Sequence, residues 1–227
     1  MPAEPGLVVL KKLGAVAAID ALSKVGTRQD GAKNRERFVT FIRKFSDWSD
    51  CERMSLPHLV QALSKDMQPE FEQLKRYAGE SLRGWRTVPP GPWSITQDPL
   101  PDQLLELWPK EGSSFKRVMP RFCNEHFRHV HLFYSYRNYL AHNLREGGWP
   151  TIERGVTFPH YLFTEITRVV SADSVSLRER WLLYYPLPFF LTLANGCLDR
   201  LEAWLKAECI NPFDYYPMGD FLLEFLE

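Results

Sequence analysis

Apolar residues recur at helical spacing over most of this chain. They lie three or four positions apart between Pro5 and Gly26, which predicts an N-terminal helix with proline in its first turn. A second helix is predicted over residues 35–45, with phenylalanines on one face and basic side chains, typical of a solvated surface, on the other. Ser55 and Gln68 each stand within two residues of a proline, a pattern that begins two further helices.

Prolines interrupt the helical pattern between residues 88 and 101, after which one short helix is predicted over residues 104–108. A connection of this length often wraps a surface or separates parts of a protein. We therefore expect an N-terminal helical segment, residues 1–109, and a core of residues 110–227, with one shared domain as the alternative. The core begins with a long helix from Ser113 to Asn143, in which Pro120 marks the first turn or a kink.

A short β element is predicted in the C-terminal half. Residues 157–166 and 180–185 are rich in β-branched and aromatic side chains and flank a polar stretch, which predicts a small hairpin. Pro186 and Pro188 then introduce a last amphipathic helix that ends near Cys209, and an aromatic tail follows it. The whole pattern predicts a mostly α-helical protein with a small β-hairpin.

The balance of charge is neutral, with 28 basic and 28 acidic residues, so no overall field attracts nucleic acid. The charge is uneven locally. Between Lys110 and Arg145, seven lysines and arginines face two glutamates. Any polyanion is therefore expected to bind within this basic window, which also contains the candidate site described next.

Cysteine spacing and hydropathy bear on the expected cellular location of the protein. The four cysteines are scattered without paired spacing, which argues against a zinc ribbon or a disulfide framework and favours a reducing cytoplasm. Lys11, Lys12 and Asp20 interrupt the apolar stretch of residues 7–22, so a helix is expected there and not a signal peptide. No apolar run is long enough to predict a membrane span.

The sequence FYSYRNYLAHN, residues 133–143, carries the strongest candidate chemistry. On a helix Asn138 and His142 lie one turn apart on the same face, with Arg137 beside them. Arg137 would stabilise charge on a phosphate, and Asn138 would orient the imidazole or a phosphate oxygen. His142 would act as general acid or base while the 2′-hydroxyl of RNA attacks. The spacing also fits a surface ion pair and a histidine that the helix dipole favours.

The segment RNYLAH, residues 137–142, resembles the signature of the HEPN superfamily, in which an arginine and a polar residue precede a histidine by a short spacer. The resemblance covers about residues 115–143, is weaker over residues 180–205, and does not extend to the first hundred residues. It implies a HEPN-like helical bundle with additional N-terminal helices. It also implies a symmetric homodimer in which two arginine and histidine pairs share one cleft.

The resemblance further implies a biological setting. Many members are metal-independent endoribonucleases in prokaryotic toxin–antitoxin and antiviral defence systems, so the expected partners are single-stranded RNA and an antitoxin or other defence protein. Other members are inert modules that bind a partner protein or a nucleotide, and this is the alternative function. Further RNA contacts are expected from four residues close to the motif, namely Arg128, His131, Tyr134 and Arg145.

The densest group of potential metal ligands lies in the same region. Cys123, His126, His129 and His131 are close in sequence, but no second ligand pair with metal spacing occurs elsewhere. A set of helix-surface histidines is therefore the favoured interpretation. No phosphate-binding glycine loop, HExxH sequence or serine elbow is present either. We accordingly expect no metal and no cofactor.

Overall fold

The computed structural model describes residues 5–27, 33–65, 69–86, 91–109, 124–143, 155–171 and 174–212. In this part of the chain the protein is mostly α-helical and has one small antiparallel sheet. The predicted fold class is therefore confirmed. The α-helices are α1 (Pro5–Thr27), α2 (Asn34–Phe45), α3 (Leu56–Leu63), α4 (Glu72–Trp85), α5 (Pro101–Leu105), α6 (His129–Asn143) and α7 (Leu187–Ala207).

The predicted hairpin is present and is longer than expected. Strand β2 (His160–Ser171) pairs antiparallel with β3 (Ser174–Tyr184), and Tyr161 lies opposite Leu183. A two-residue strand, β1 (Trp93–Ser94), pairs with the start of β2 and completes the sheet in the order β1-β2-β3. The sequence did not predict β1, because two residues are too few to show a period-2 pattern.

The long helix predicted from Ser113 to Asn143 is wrong in its central part. Residues 124–127 form a 3-10 turn, and α6 begins at His129; the earlier residues of that prediction, including Pro120, lie outside the described part of the chain. Tertiary hydrogen bonds explain the break. The carbonyl of Phe127 accepts from Ser55 N, and His129 N donates to the carbonyl of Arg53, so these groups follow a neighbouring segment and not a helix.

The chain divides into two compact units. Unit 1 consists of Met1–Trp48, Tyr134–Gly147 and Leu187–Glu227, and unit 2 consists of Ser49–Phe133 and Gly148–Pro186. The division falls inside α6, between Phe133 and Tyr134. The boundary expected between residues 109 and 110 stays a prediction, because residues 110–123 lie outside the described part of the chain.

Unit 1 is a helical unit built around the apolar faces of α1, α2 and α7. Helix α1 packs against both α2 and α7, and α2 also contacts α7. The phenylalanines predicted for the inner face of α2 are fully buried, as are Ile19 of α1 and Phe190 of α7. Tyr134 and Tyr136 of α6 contact the rings of Phe38 and Phe190. The motif helix is therefore held by aromatic contacts within this unit.

Unit 2 combines α3, α4 and α5 with the sheet. Helices α3 and α4 pack together, and an aromatic cluster joins α4 to the strands through Trp85, Trp93 and Trp181. The indole of Trp93 donates to the carbonyl of Trp85 over 3.2 Å. Ser55 caps α3 as the sequence predicted, with its hydroxyl accepting from His58 N.

None of the described helices is both long enough and apolar enough to cross a membrane. Three of the cysteines, Cys51, Cys197 and Cys209, are described, and none of them forms a disulfide with another described cysteine. Cys123 and most of the aromatic tail after Pro212 lie outside the described residues.

Candidate functional site

Arg137 is held in place by two partners in unit 1. Its Nη2 donates to Asp20 Oδ2 of α1 over 2.5 Å, and its Nη1 donates to Asn138 Oδ1 over 2.8 Å. The guanidinium also lies 5.8 Å from the ring centre of Tyr134. Its side chain keeps 18% of its surface exposed, so the arginine is positioned yet remains open to solvent. No sequence pattern predicts Asp20 as the partner of Arg137, because the two residues lie 117 positions apart along the chain.

His142 lies in the last turn of α6 and is exposed, as are its neighbours Ala141 and Asn143. Leu140, fully buried, anchors the helix on its other side. Asn138 stands one turn before His142 on the same helix face, as its spacing requires, and is half-buried. The imidazole of His142 and part of the fixed Arg137 guanidinium are therefore accessible to solvent.

Two of the four residues expected to make further RNA contacts lie in unit 2. Arg128 donates to Glu52 Oε2 over 2.5 Å, and His131 is buried with its ring next to that of His126. Tyr134 belongs to unit 1 and contacts Arg137, whereas Arg145 lies outside the described residues. Both described arginines of the basic window therefore have a carboxylate partner that lies outside the window.

A second group of polar side chains lies in the interior of unit 2. Asp98 accepts from three donors: Leu56 N at 2.9 Å, Tyr161 Oη at 2.6 Å and His129 Nε2 at 2.7 Å. All of these side chains are almost completely excluded from solvent. Arg53 fixes the same segment from outside, because its Nη1 donates to the Asp98 carbonyl over 2.8 Å. The carboxylate therefore gains hydrogen bonds that compensate for its burial.

One assignment of donors and acceptors satisfies the hydrogen bonds of this group. Tyr161 Oη also lies 2.7 Å from Ser55 Oγ, but the phenol has a single proton, which goes to the Asp98 carboxylate as the stronger acceptor. Ser55 must then donate to the phenol oxygen. The Ser55 oxygen accepts in turn from His58 Nδ1 over 2.7 Å. This order places the proton of His58 on Nδ1 and leaves Nε2 as an acceptor.

Burial determines how these groups titrate. It raises the pKa of the Tyr161 phenol well above its usual value, and the adjacent Asp98 charge raises it further. It also lowers the pKa of His58 to about 4, with a smaller contribution from His129. Both groups are therefore neutral near pH 7. Ser55 has no exposed surface, so its hydroxyl cannot reach a substrate as a nucleophile.

Local sequence patterns indicate this second group only in part. They predict Ser55 as a helix cap, but the prediction that His129 is a helix-surface histidine is wrong, because His129 is fully buried. Asp98 lies within the proline-rich connection of residues 88–101, where no local pattern predicts its role. Among the described residues, no group of three or more histidine, cysteine, aspartate or glutamate side chains is arranged to hold a metal ion.

Comparison with known proteins identifies no relative of this chain: no protein-family model, curated protein or solved structure matches it. Its function is therefore inferred from its own residues and their geometry.

Proposed function

We propose that the protein is a metal-independent endoribonuclease that cleaves single-stranded RNA with Arg137, Asn138 and His142. The resemblance of residues 137–142 to the HEPN signature suggests this activity. The observation that carries the proposal is the arrangement on α6, where Arg137 is fixed by Asp20 and Asn138 while His142 stays exposed in the same helix end. A fixed guanidinium and a solvent-exposed imidazole at the end of one helix suit phosphate chemistry.

Each residue has a defined role in the proposed reaction. Arg137 directs N–H groups at the non-bridging oxygens of the scissile phosphate, where negative charge increases in the transition state. His142 takes the proton from the attacking 2′-hydroxyl or gives one to the departing 5′-oxygen. Asn138 holds the guanidinium through its side-chain oxygen. The bond to the 5′-oxygen breaks as the 2′-oxygen bonds to phosphorus, which leaves a 2′,3′-cyclic phosphate.

The proposal includes a homodimer. Each chain supplies one candidate histidine at the motif, whereas acid–base cleavage uses one group to remove a proton and another to donate one. A twofold axis beside the end of α6 would bring a second His142 to the same phosphate, since an isologous interface repeats each residue. A prokaryotic defence or toxin–antitoxin setting, with a controlling partner protein, forms part of the same proposal.

Alanine variants of the motif test these roles. We expect Arg137→Ala and His142→Ala each to lower the cleavage rate by roughly 10²-fold or more. Arg200→Ala is the matched control, because Arg200 also pairs with an aspartate, Asp47, within unit 1. Asn143→Ala is the control for an exposed neighbour of His142. Full activity of the two motif variants would contradict the proposal, and loss of folding would show that the residues are structural.

A non-catalytic binding module is the second candidate function. It is favoured by one observation, which is that Arg128 and Arg137 already form ion pairs with Glu52 and Asp20. Arginines engaged in this way support the fold without needing a substrate. This candidate predicts that wild type cleaves no RNA under any condition and that a protein or nucleotide co-purifies with it. Loss of this co-purifying molecule in His142→Ala would then place its binding surface at the motif.

A further inference from the structure

A pocket of about 550 Å³ opens in unit 2, beside the buried polar group. Helix α3 and the turn after it form one wall, and α4 and β3 form the others. The volume lies within the range of about 300–1,000 Å³ that is usual for small-molecule sites. The walls are mixed: Leu82 and Trp181 supply apolar surface, and Gln61 supplies an amide.

Two cationic side chains line this pocket. Lys65 and Arg180 line it, both are exposed, and neither forms an ion pair with any described residue. No aspartate or glutamate occurs among its described lining residues. Arg53 and Arg128 of the same unit differ, because they pair with Asp50 and Glu52. Among the described residues the pocket therefore has two cations and no carboxylate partner for either, which favours an anionic ligand and suits phosphate oxygens in particular.

His58 adds a directional acceptor to the pocket wall. Its Nδ1 is engaged by Ser55, so the proton order described above leaves the Nε2 lone pair as the position that can bind a ligand donor. The chain from His58 through Ser55 and Tyr161 to Asp98 fixes the ring and its tautomer. A ligand that suits this pocket therefore combines a negatively charged group with a ring that carries an N–H donor.

We propose that this pocket binds a mononucleotide, with the phosphate on Lys65 and Arg180 and the base between Trp181 and His58. Every nucleobase carries an amino or ring N–H group that can donate to an imidazole nitrogen. The indole of Trp181 supplies the apolar surface against which a base packs. All of the lining residues belong to unit 2, so the proposal does not rest on RNA cleavage by the motif in unit 1.

Calorimetric titration of the full-length protein tests the site. AMP, GMP, CMP and UMP are the probes, and adenosine, ribose 5-phosphate and inorganic phosphate separate the base from the phosphate. We expect at least one mononucleotide to bind with a Kd below about 1 mM and adenosine to bind at least about tenfold more weakly. Failure of all four mononucleotides to bind, or equal affinity for ribose 5-phosphate, would overturn the assignment.

Two exposed substitutions keep this test independent of folding. Lys65→Gln combined with Arg180→Gln removes both cations without touching the buried polar group, and should weaken nucleotide binding at least about tenfold. Arg76→Gln, on the exposed surface of α4 and outside the pocket, is the matched control and should bind as wild type does. Unchanged affinity in the double variant would place the nucleotide elsewhere and contradict the proposal. Wild-type RNA cleavage by the same double variant would show that the two sites are separate.

Discussion

At the scale of single residues, two histidines in this chain have opposite environments. His142 is exposed at the end of α6, whereas His58 is packed against a buried serine and has a pKa lowered to about 4. The sequence shows both histidines, but no local pattern distinguishes the exposed one from the one packed against the buried serine. The cited hydrogen-bond partners of Asp20, Ser55 and Asp98 lie between 42 and 117 residues away along the chain. No local sequence pattern predicts such pairs.

Asp20 is expected to position Arg137 for RNA cleavage. In Asp20→Asn the guanidinium keeps a hydrogen-bond acceptor but loses its counter-ion, so we expect the turnover number to fall by about tenfold. Asp20→Glu retains the charge and should recover part of the rate. Steady-state cleavage of a labelled RNA measures both effects. Equal turnover by wild type and Asp20→Asn would show that the ion pair supports only the fold.

His58 should make unfolding depend on pH. Because its folded pKa of about 4 lies below the usual 6.5, the unfolded chain binds a proton in this interval that the folded chain does not. The free energy of unfolding therefore falls as pH drops from 6.5 to 4, by as much as about 3 kcal/mol, and this loss is complete below pH 4. Urea unfolding of wild type and His58→Gln at several pH values measures it. An identical pH dependence in both proteins would refute this role.

At the scale of elements, the sequence predicted helices α1, α2 and α7 and the β2-β3 hairpin, and the structure contains all four. Helices α2 and α7 bury their apolar residues along one face, whereas α1 leaves Leu7 and Leu10 exposed and buries Lys12. Residues 124–128 lie inside the helix predicted over residues 113–143, but the backbone groups of Phe127 and His129 bond to Ser55 and Arg53 and turn the chain. Tertiary hydrogen bonding overrode local preference there, which a single sequence does not reveal.

Two glycines of α1 should respond oppositely to alanine. A Cβ at Gly26 would lie 2.7 Å from the buried ring of Phe41, so Gly26→Ala forces α1 and α2 apart and should cost about 1–3 kcal/mol. A Cβ at Gly14 would meet nothing within 4 Å, and Gly14→Ala should stabilise the helix by about 0.5–1 kcal/mol. Thermal unfolding compares the two variants. Equal shifts in Tm would contradict this packing of α1 on α2.

At the scale of the whole molecule, equal numbers of basic and acidic residues leave no overall field to attract RNA. Arg128 and Arg137, the described arginines of the basic window, are also ion-paired, so any recognition of RNA has to be local. The proposed composite site between two chains would increase the local positive charge and double the number of histidines. A single sequence shows no pattern that predicts the proposed pairing of two chains or the RNA that they would cleave.

The proposed dimer makes activity depend on protein concentration. If two chains complete one site, the cleavage rate per chain should fall on dilution, in parallel with the dimer fraction. Light scattering after size-exclusion chromatography measures the dimer fraction, and a cleavage assay over the same concentrations measures the rate. A constant rate per chain in a range where the protein is monomeric would show that one chain is sufficient.

The chemistry of the cleaved RNA ends tests metal-independent cleavage by His142 most directly. Wild type and His142→Ala are incubated with 5′-labelled single-stranded RNA in excess EDTA, and the fragments are resolved before and after treatment that opens cyclic phosphates. We predict cleavage by wild type alone, with 2′,3′-cyclic phosphate ends. A substrate with one 2′-deoxy nucleotide at the cleavage position should resist cutting there. Cleavage that requires a divalent metal, leaves a 3′-hydroxyl or persists in His142→Ala would contradict the account.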